Sequence, residues 1–152
     1  MTDDPSVVVK AQAARALGRL AYAPATSSLI DALGSDYGPL RTFAALALGE
    51  IGAETAHASI EARAHDSDPE VRAAVIRVTT SSNSAGAESI ARNALDDPNP
   101  GVRATGAVAL MHQANPASLP LLRSKSDDPH PEVRARIADA IVAMDPLRPS
   151  NS

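Results

Sequence analysis

Apolar positions in this chain recur at helical spacing, and the helical segments themselves recur. Val71, Ala74, Val75 and Val78 form a stripe at steps of three and four residues, the pattern of one buried helix face. Asp68 stands before it as a good N-cap, and Pro69 suits the first helical position. Thr80 to Ser84 is a polar break, and a second helix is expected from about Ala85 to Leu95. The start of the chain has the same layout. Ser6 is the expected cap of a helix running to about Leu20, a turn passes through Tyr22 to Pro24, and a second helix covers Ala25 to Leu33. Further along, Asn99 caps another first helix, and Asn115-Pro116 separates it from its partner. His130 stands at the next cap position, a weaker choice.

A fixed period organises these pairs. Leu40-Arg41, Val71-Arg72, Val102-Arg103 and Val133-Arg134 follow one another at 31 residues, and one step back lands on Val9-Lys10. Pro69, Pro100 and Pro131 each lie three residues before the arginine. Asp96 to Arg103 (DDPNPGVR) and Asp127 to Arg134 (DDPHPEVR) are nearly identical. Pro39 falls one residue late, which predicts a local difference at its junction. A helix pair of this size cannot bury its own apolar faces, whereas stacked neighbours can. The expected fold is therefore all-α: a right-handed α–α superhelix, a solenoid of four helix pairs and a final lone helix from about Pro131 to Met144. It is expected to form a single domain over 1–152, with repeats at about 5–35, 36–66, 67–97 and 98–128 and a half repeat at 129–146. Asp145 to Pro149 is expected to end the order.

Composition narrows the chemistry. Without cysteine, the 152-residue chain has no disulfide framework, thiolate zinc site or cysteine nucleophile. An apolar fraction of 44% is too high for a disordered acidic chain. The acidic start, Met1-Thr2-Asp3-Asp4, opens no secretory segment, and no apolar run is long enough to span a bilayer, so a cytoplasmic location is expected. Lys plus Arg number 14 against 18 Asp plus Glu, and the net charge of -4 argues against broad nucleic-acid binding. Alanine is the commonest residue, and Tyr22, Tyr37 and Phe43 are the only aromatics. Small side chains of high helix propensity suit helices packed close together.

Asp68-Pro69-Glu70-Val71-Arg72, opening an apolar helix, resembles the junction of a HEAT repeat. The short period resembles the phycobilisome-lyase-type subtype, whose usual first-helix ending is matched by Ala16-Leu17-Gly18 and Ala47-Leu48-Gly49. Ala109-Leu110-Met111 loses the glycine, and Val78-Thr79-Thr80 departs further. The resemblance covers residues 4 to 145. It implies that first helices line a convex side and second helices a concave binding side, near 25–33, 56–65, 86–95 and 117–126. It also makes Arg41, Arg72, Arg103 and Arg134 a structural ladder, bonded to Asp66, Asp97 and Asp128 or to free helix-end carbonyls.

Stacking allows columns to be read across the second helices. Ile30, Glu61, Arg92 and Arg123 make one, in which Glu61 is placed to pair with Arg92. Thr26, His57, Glu88 and Leu119 make another, bringing His57 towards Glu88. Asp31, Ala62, Asn93 and Ser124 make a third, with Ser27, Ala58, Ser89 and Pro120 beside it. The last two columns are small and carry one charge, so another backbone can approach them closely. The binding candidates are Ser27, Asp31, Glu61, Arg63, Ser89, Arg92, Asn93, Arg123 and Lys125, with Arg123 and Lys125 making one end modestly basic.

No catalytic residue, metal or cofactor is assigned. His57, Glu61 and His65 share one helical stripe, but residues eight apart span about 12 Å of helix axis, too far for one ion to touch both histidines. His112 is expected to be exposed. No phosphate loop, dinucleotide glycine motif or GxSxG turn is present. Some HEAT proteins hold two irons through histidine–glutamate pairs and hydroxylate a lysine derivative; this chain has no His-Glu dipeptide. The expected function is a non-catalytic scaffold or adaptor that binds another protein or peptide, as a monomer, away from membranes. The alternatives are bilin-lyase-like handling of a chromophore, for which few aromatics are available, and DNA-lesion binding, for which Arg63, Arg92, Arg123 and Lys125 are offset by Glu61 and Glu88. Val7-Val8-Val9 and the missing final second helix leave apolar surface at both ends.

Overall fold

The computed structural model describes residues 5–145, and every regular element among them is helical. Nine α-helices follow in order: α1 (Pro5–Arg19), α2 (Thr26–Ala32), α3 (Gly38–Ile51), α4 (His57–Glu61), α5 (Pro69–Ser81), α6 (Ala87–Ala94), α7 (Pro100–Gln113), α8 (Leu119–Ser124) and α9 (Pro131–Met144). Long first helices alternate with short second ones, the arrangement expected of HEAT-type helix pairs. The segment after Asp145 lies outside the described residues.

The chain divides into two compact units, residues 1–86 and 87–152. In the first, α3 lies between α1 and α5, with α2 against α3 and α4 against α5. Its core includes Leu29, Leu33, Ala44, Ala45, Leu48, Ile60, Val71 and Val75, all at most 2% exposed. In the second, α7 packs on α6 and α9, and α8 on α9. Ala91, Val102, Ala107, Leu110, Leu122, Val133, Ile137 and Ala140 are its most deeply buried apolar side chains. Alanine is the commonest buried apolar residue over the two units, because close helix approach leaves no room for larger groups.

Helix starts follow the junction residues. Asp68 accepts the Glu70 amide at 2.9 Å, and Asn99 accepts those of Gly101 and Val102 at 2.8 and 3.3 Å. His130 makes no such side-chain bond. At the junction with the displaced proline, α3 begins at Gly38 and its N-cap, Tyr37, makes no side-chain cap bond either. Ser6 is not a cap, because α1 is already helical at Pro5.

Helix ends and second helices differ from expectation. Left-handed residues stand at Ala21, Gly52, Asn83 and Ala114, one period apart. They reverse the chain after each first helix. Gly18 and Gly49 lie inside α1 and α3 and are not caps. A Cβ on Gly18 would fall 2.6 Å from Ala47 Cα, and one on Gly49 would fall 2.8 Å from Val78 Cγ1. Both permit close helix packing. Second helices are shorter than expected because single 3₁₀ turns, Ala23–Ala25, Glu54–Ala56 and Pro116–Ser118, open three of them. The polar run Thr80–Ser84 does not stop α5 at once; it continues to Ser81. There the Ser81 and Ser82 hydroxyls bond back to the Val78 carbonyl of the same helix, while Thr80 Oγ1 has no hydrogen-bond partner among the described residues.

Candidate functional site

The arginines at the period form geometrically alike rungs. In unit one, Arg41 grips Asp66 in two parallel bonds, Nε to Oδ2 at 2.8 Å and Nη2 to Oδ1 at 2.6 Å. Its Nη1 donates to the Ser35 carbonyl at 2.8 Å. In unit two, Arg103 grips Asp128 the same way, at 2.7 and 2.9 Å, and its Nη1 donates to the Asp97 and Pro98 carbonyls. Arg72 bonds the Asp66 and Ser67 carbonyls through Nη1, and Arg134 bonds those of Asp128 and Pro129. Each guanidinium thus ties the turn before its own helix. Arg41 and Arg103 also hold the carboxylate of the next turn.

These carboxylates do a second job. Oδ1 of Asp66, Asp97 and Asp128 accepts the backbone amide two residues on, at 2.8–2.9 Å. At the first junction Ser35 holds the same register and its hydroxyl accepts the Tyr37 amide at 3.2 Å. The turn survives there without the charge. Burial pushes the Asp66 carboxyl up, but the Arg41 hydrogen bonds and charge and the Asp68 amide outweigh it and hold it below the ordinary range. The Arg103 hydrogen bonds, against a smaller cost of burial, hold Asp128 below it too.

The second helices carry the other candidates. Ser27 and Asp31 on α2 are exposed, as are Ala58 and Ala62 at the equivalent positions in unit one. In unit two Ser89, Asn93, Pro120 and Ser124 are exposed as well. The two small columns are therefore surface within each unit, not packing between helices. The neighbouring columns are mostly half-buried: Thr26, Ile30, His57, Glu61, Glu88 and Arg92, with Leu119 buried. Arg63 lies in the turn after α4, half-buried, and its Nε has no hydrogen-bond partner.

Arg92 belongs to a polar cluster in unit two that sequence reasoning missed. Asn115 donates to both carboxylate oxygens of Glu88 at 2.8 and 2.9 Å, while its own Oδ1 accepts the Ala117 amide. Ser118 donates to Glu88 at 3.3 Å, and Arg92 Nη1 reaches Glu88, the Ala117 carbonyl and Ser118 Oγ. Chiefly through Asn115, the cluster holds the Glu88 carboxyl below its usual range. The sequence signal was present: Asn115 precedes Pro116, and Glu88 lies 27 residues earlier. Arg92 is thus committed to fixing the α7–α8 turn. Arg123 is exposed; its carbonyl accepts the Ser126 hydroxyl, and its guanidinium makes no hydrogen bond or ion pair among the described residues.

Two open clefts flank these helices. In unit one a cleft of about 520 Å³ is lined by Lys10, Ala14, Ser28, Leu29, Asp31 and Ser35. In unit two one of about 380 Å³ is lined by Leu95, Asp96, Arg103, Ser124, Lys125 and Asp128, with Lys125 paired to Asp96 across it. Among the described residues no group of three or more His, Asp or Glu is placed to hold a metal ion, so His57, Glu61 and His65 are not gathered into one. No described helix is long and apolar enough to cross a membrane.

Helix pairs at a fixed period, joined by arginine–aspartate rungs, define an α-helical repeat protein. A family model described as HEAT repeats matches residues 1–77 and 58–142, and the chain belongs to that family. Among solved structures it is similar to human deoxyhypusine hydroxylase in complex with glycerol, at 29% identity and a TM-score of 0.63. That match covers 78% of this chain and 43% of the hydroxylase, so the chain spans less than half the length of this relative. No curated protein matches the chain.

Proposed function

We propose that this chain is a protein-binding scaffold that takes an extended peptide segment of its partner along the second helices. The observation that carries this reading is the exposure of both small columns: Ser27 with Ala58 and Asp31 with Ala62 in unit one, Ser89 with Pro120 and Asn93 with Ser124 in unit two. Small side chains on an exposed face let a second backbone come close, and repeat proteins use such extended surfaces for recognition. In unit one Asp31 supplies a charge and Ser27 a hydrogen-bonding group; in unit two Arg123 supplies a charge and Ser89 and Asn93 hydrogen-bonding groups. Glu61, Arg63, Arg92 and Lys125 border this surface. Arg92 and Lys125 act mainly by holding their own elements in place.

The reading is non-catalytic and monomeric, and it places the repeats in the short, phycobilisome-lyase-type subtype on the strength of their period. Hydroxylase activity is not part of this reading, because the chain has no His-Glu dipeptide. The test is quantitative binding to a partner first isolated by affinity capture. Ala62→Trp and Ser124→Trp place bulk on the columns without entering a core, so each is expected to weaken binding at least tenfold while the helical circular dichroism is unchanged. Unchanged affinity in both variants rules out the column surface. A coloured eluate from the same capture brings the chromophore reading forward.

A further inference from the structure

We propose that the α9 face bearing Arg134, Ala138 and Val142 docks a helix of a protein partner whose N-terminal turn carries a carboxylate. This surface is separate from the second-helix columns and does not rest on them.

Three helices carry the same stripe in register: Arg41, Ala45 and Gly49 on α3; Arg103, Ala107 and Met111 on α7; Arg134, Ala138 and Val142 on α9. In unit one the α3 stripe receives α5. Ala45 is 0% exposed, Gly49 faces Val78 of α5, and Arg41 grips Asp66 in the turn leading to α5. In unit two α9 packs on α7, Ala107 is 0% exposed, and Arg103 grips Asp128 in the turn leading to α9. On α9 the same stripe is bare: Arg134 and Ala138 are exposed, and Val142 is 54% exposed.

The guanidinium is already set for a carboxylate. Arg134 Nη1 donates to the Asp128 and Pro129 carbonyls at 2.9 and 3.1 Å. Arg103 Nη1 donates to the Asp97 and Pro98 carbonyls at 2.9 and 3.2 Å. In Arg41 and Arg103 the opposite edge, Nε with Nη2, takes the carboxylate. In Arg134 that edge has no partner among the described residues. Its side chain is held in the binding orientation beforehand, which lowers the ordering cost of association. Asp145, which follows α9 directly, caps the end of the helix opposite Arg134. Charge complementarity fixes the acidic group, and Ala138 with Val142 fixes an apolar helix body beside it.

The test uses the full chain, labelled with nitrogen-15, and a capped synthetic peptide with the sequence of residues 127–144. That peptide carries the acidic turn and the Val133, Ile137 and Ala140 stripe of a helix that packs on such a face. Saturable shifts are expected at the Arg134 Nε–H and at the amides of Ala135, Ala138 and Val142. Asp128→Asn in the peptide and Arg134→Gln in the chain should each weaken binding roughly tenfold or more, and the two together no further. Arg134→Lys should not restore it, since ammonium cannot make the two parallel bonds. Val142→Asp, outside the ion pair, should also weaken binding. No saturable shift at millimolar peptide overturns the proposal, as do shifts confined to other helices. Equal affinity of the Asp128→Asn peptide for the unaltered chain overturns it even if Arg134→Gln perturbs folding. Concentration-dependent dimerisation abolished by Val142→Asp assigns the face to a second copy and overturns it too.

Discussion

The Arg41–Asp66 and Arg103–Asp128 pairs are largely withdrawn from water, at 9% and 4% side-chain exposure in the first and 13% and 8% in the second. Bidentate geometry and the added backbone amide compensate both charges, so removing one partner costs more than the pair contributes on balance. Asp66→Asn is expected to destabilise unit one by about 2–3 kcal/mol, because Arg41 keeps its burial and loses half its partner. Chemical denaturation with helical circular dichroism measures this. The pH dependence has a definite sign. Asp66 and Asp128 titrate lower in the folded chain than in the unfolded one. Their contribution is present above the unfolded carboxylate value of about 4 and fades as pH falls through their folded values. The stability gap between the parent and Asp66→Asn should therefore be constant from pH 7 to about 5 and shrink in more acid solution. A gap that instead widens in acid contradicts the assignment.

At the scale of the element, glycine and alanine have exchanged the roles their sequence positions suggest. Gly18 and Gly49 stand near helix ends, where glycine usually caps, yet they serve as contact points between helices. The left-handed reversals fall one period apart, on Gly52 and Asn83 but also on Ala21 and Ala114. Alanine carries no local signal for that conformation, so sequence could not reveal these two. In a left-handed conformation an alanine bears a cost of about 1–2 kcal/mol that glycine does not, partly offset by glycine's greater entropy when unfolded. Ala21→Gly and Ala114→Gly are thus expected to raise stability by up to about 1 kcal/mol each. Gly18→Ala should do the opposite, by about 1–3 kcal/mol, because the added methyl meets the Ala47 backbone, which cannot swing aside as the Glu50 carboxylate beside it can. Thermal melts of the three variants separate these roles, and an unaltered melting point in Gly18→Ala contradicts the contact role. The starts of α5, α7 and α9 were legible because each carries proline just after the cap position. The second helices were less so, since their 3₁₀ openings have no shared residue pattern beyond proline in two of the three.

Across the whole molecule, the period and the rung arginines were readable because equivalent helix starts need the same junction chemistry. The surface was less readable, because side chains there answer to local partners. Arg92 looked like a groove cation by register, yet Glu88 one turn earlier and, from a later segment, the Ala117 carbonyl and Ser118 hydroxyl engage it. What remains exposed along the proposed binding columns is mostly small and polar, with Asp31 as an exposed charge in unit one and Arg123 in unit two. This separates a peptide scaffold from a nucleic-acid reader by a single measurement. A protein that neutralises several phosphates releases their counterions, and its affinity falls by about a thousandfold or more between 50 and 200 mM salt. A partner held by backbone approach and one or two exposed charges should lose less than about tenfold over the same range, since such charges are only partly screened. Affinity for the captured partner, measured across that salt series with and without Arg123→Glu, should show a shallow slope that Arg123→Glu makes shallower still. A steep slope, matched by salt-sensitive binding of duplex DNA, replaces the scaffold reading with the lesion-binding one.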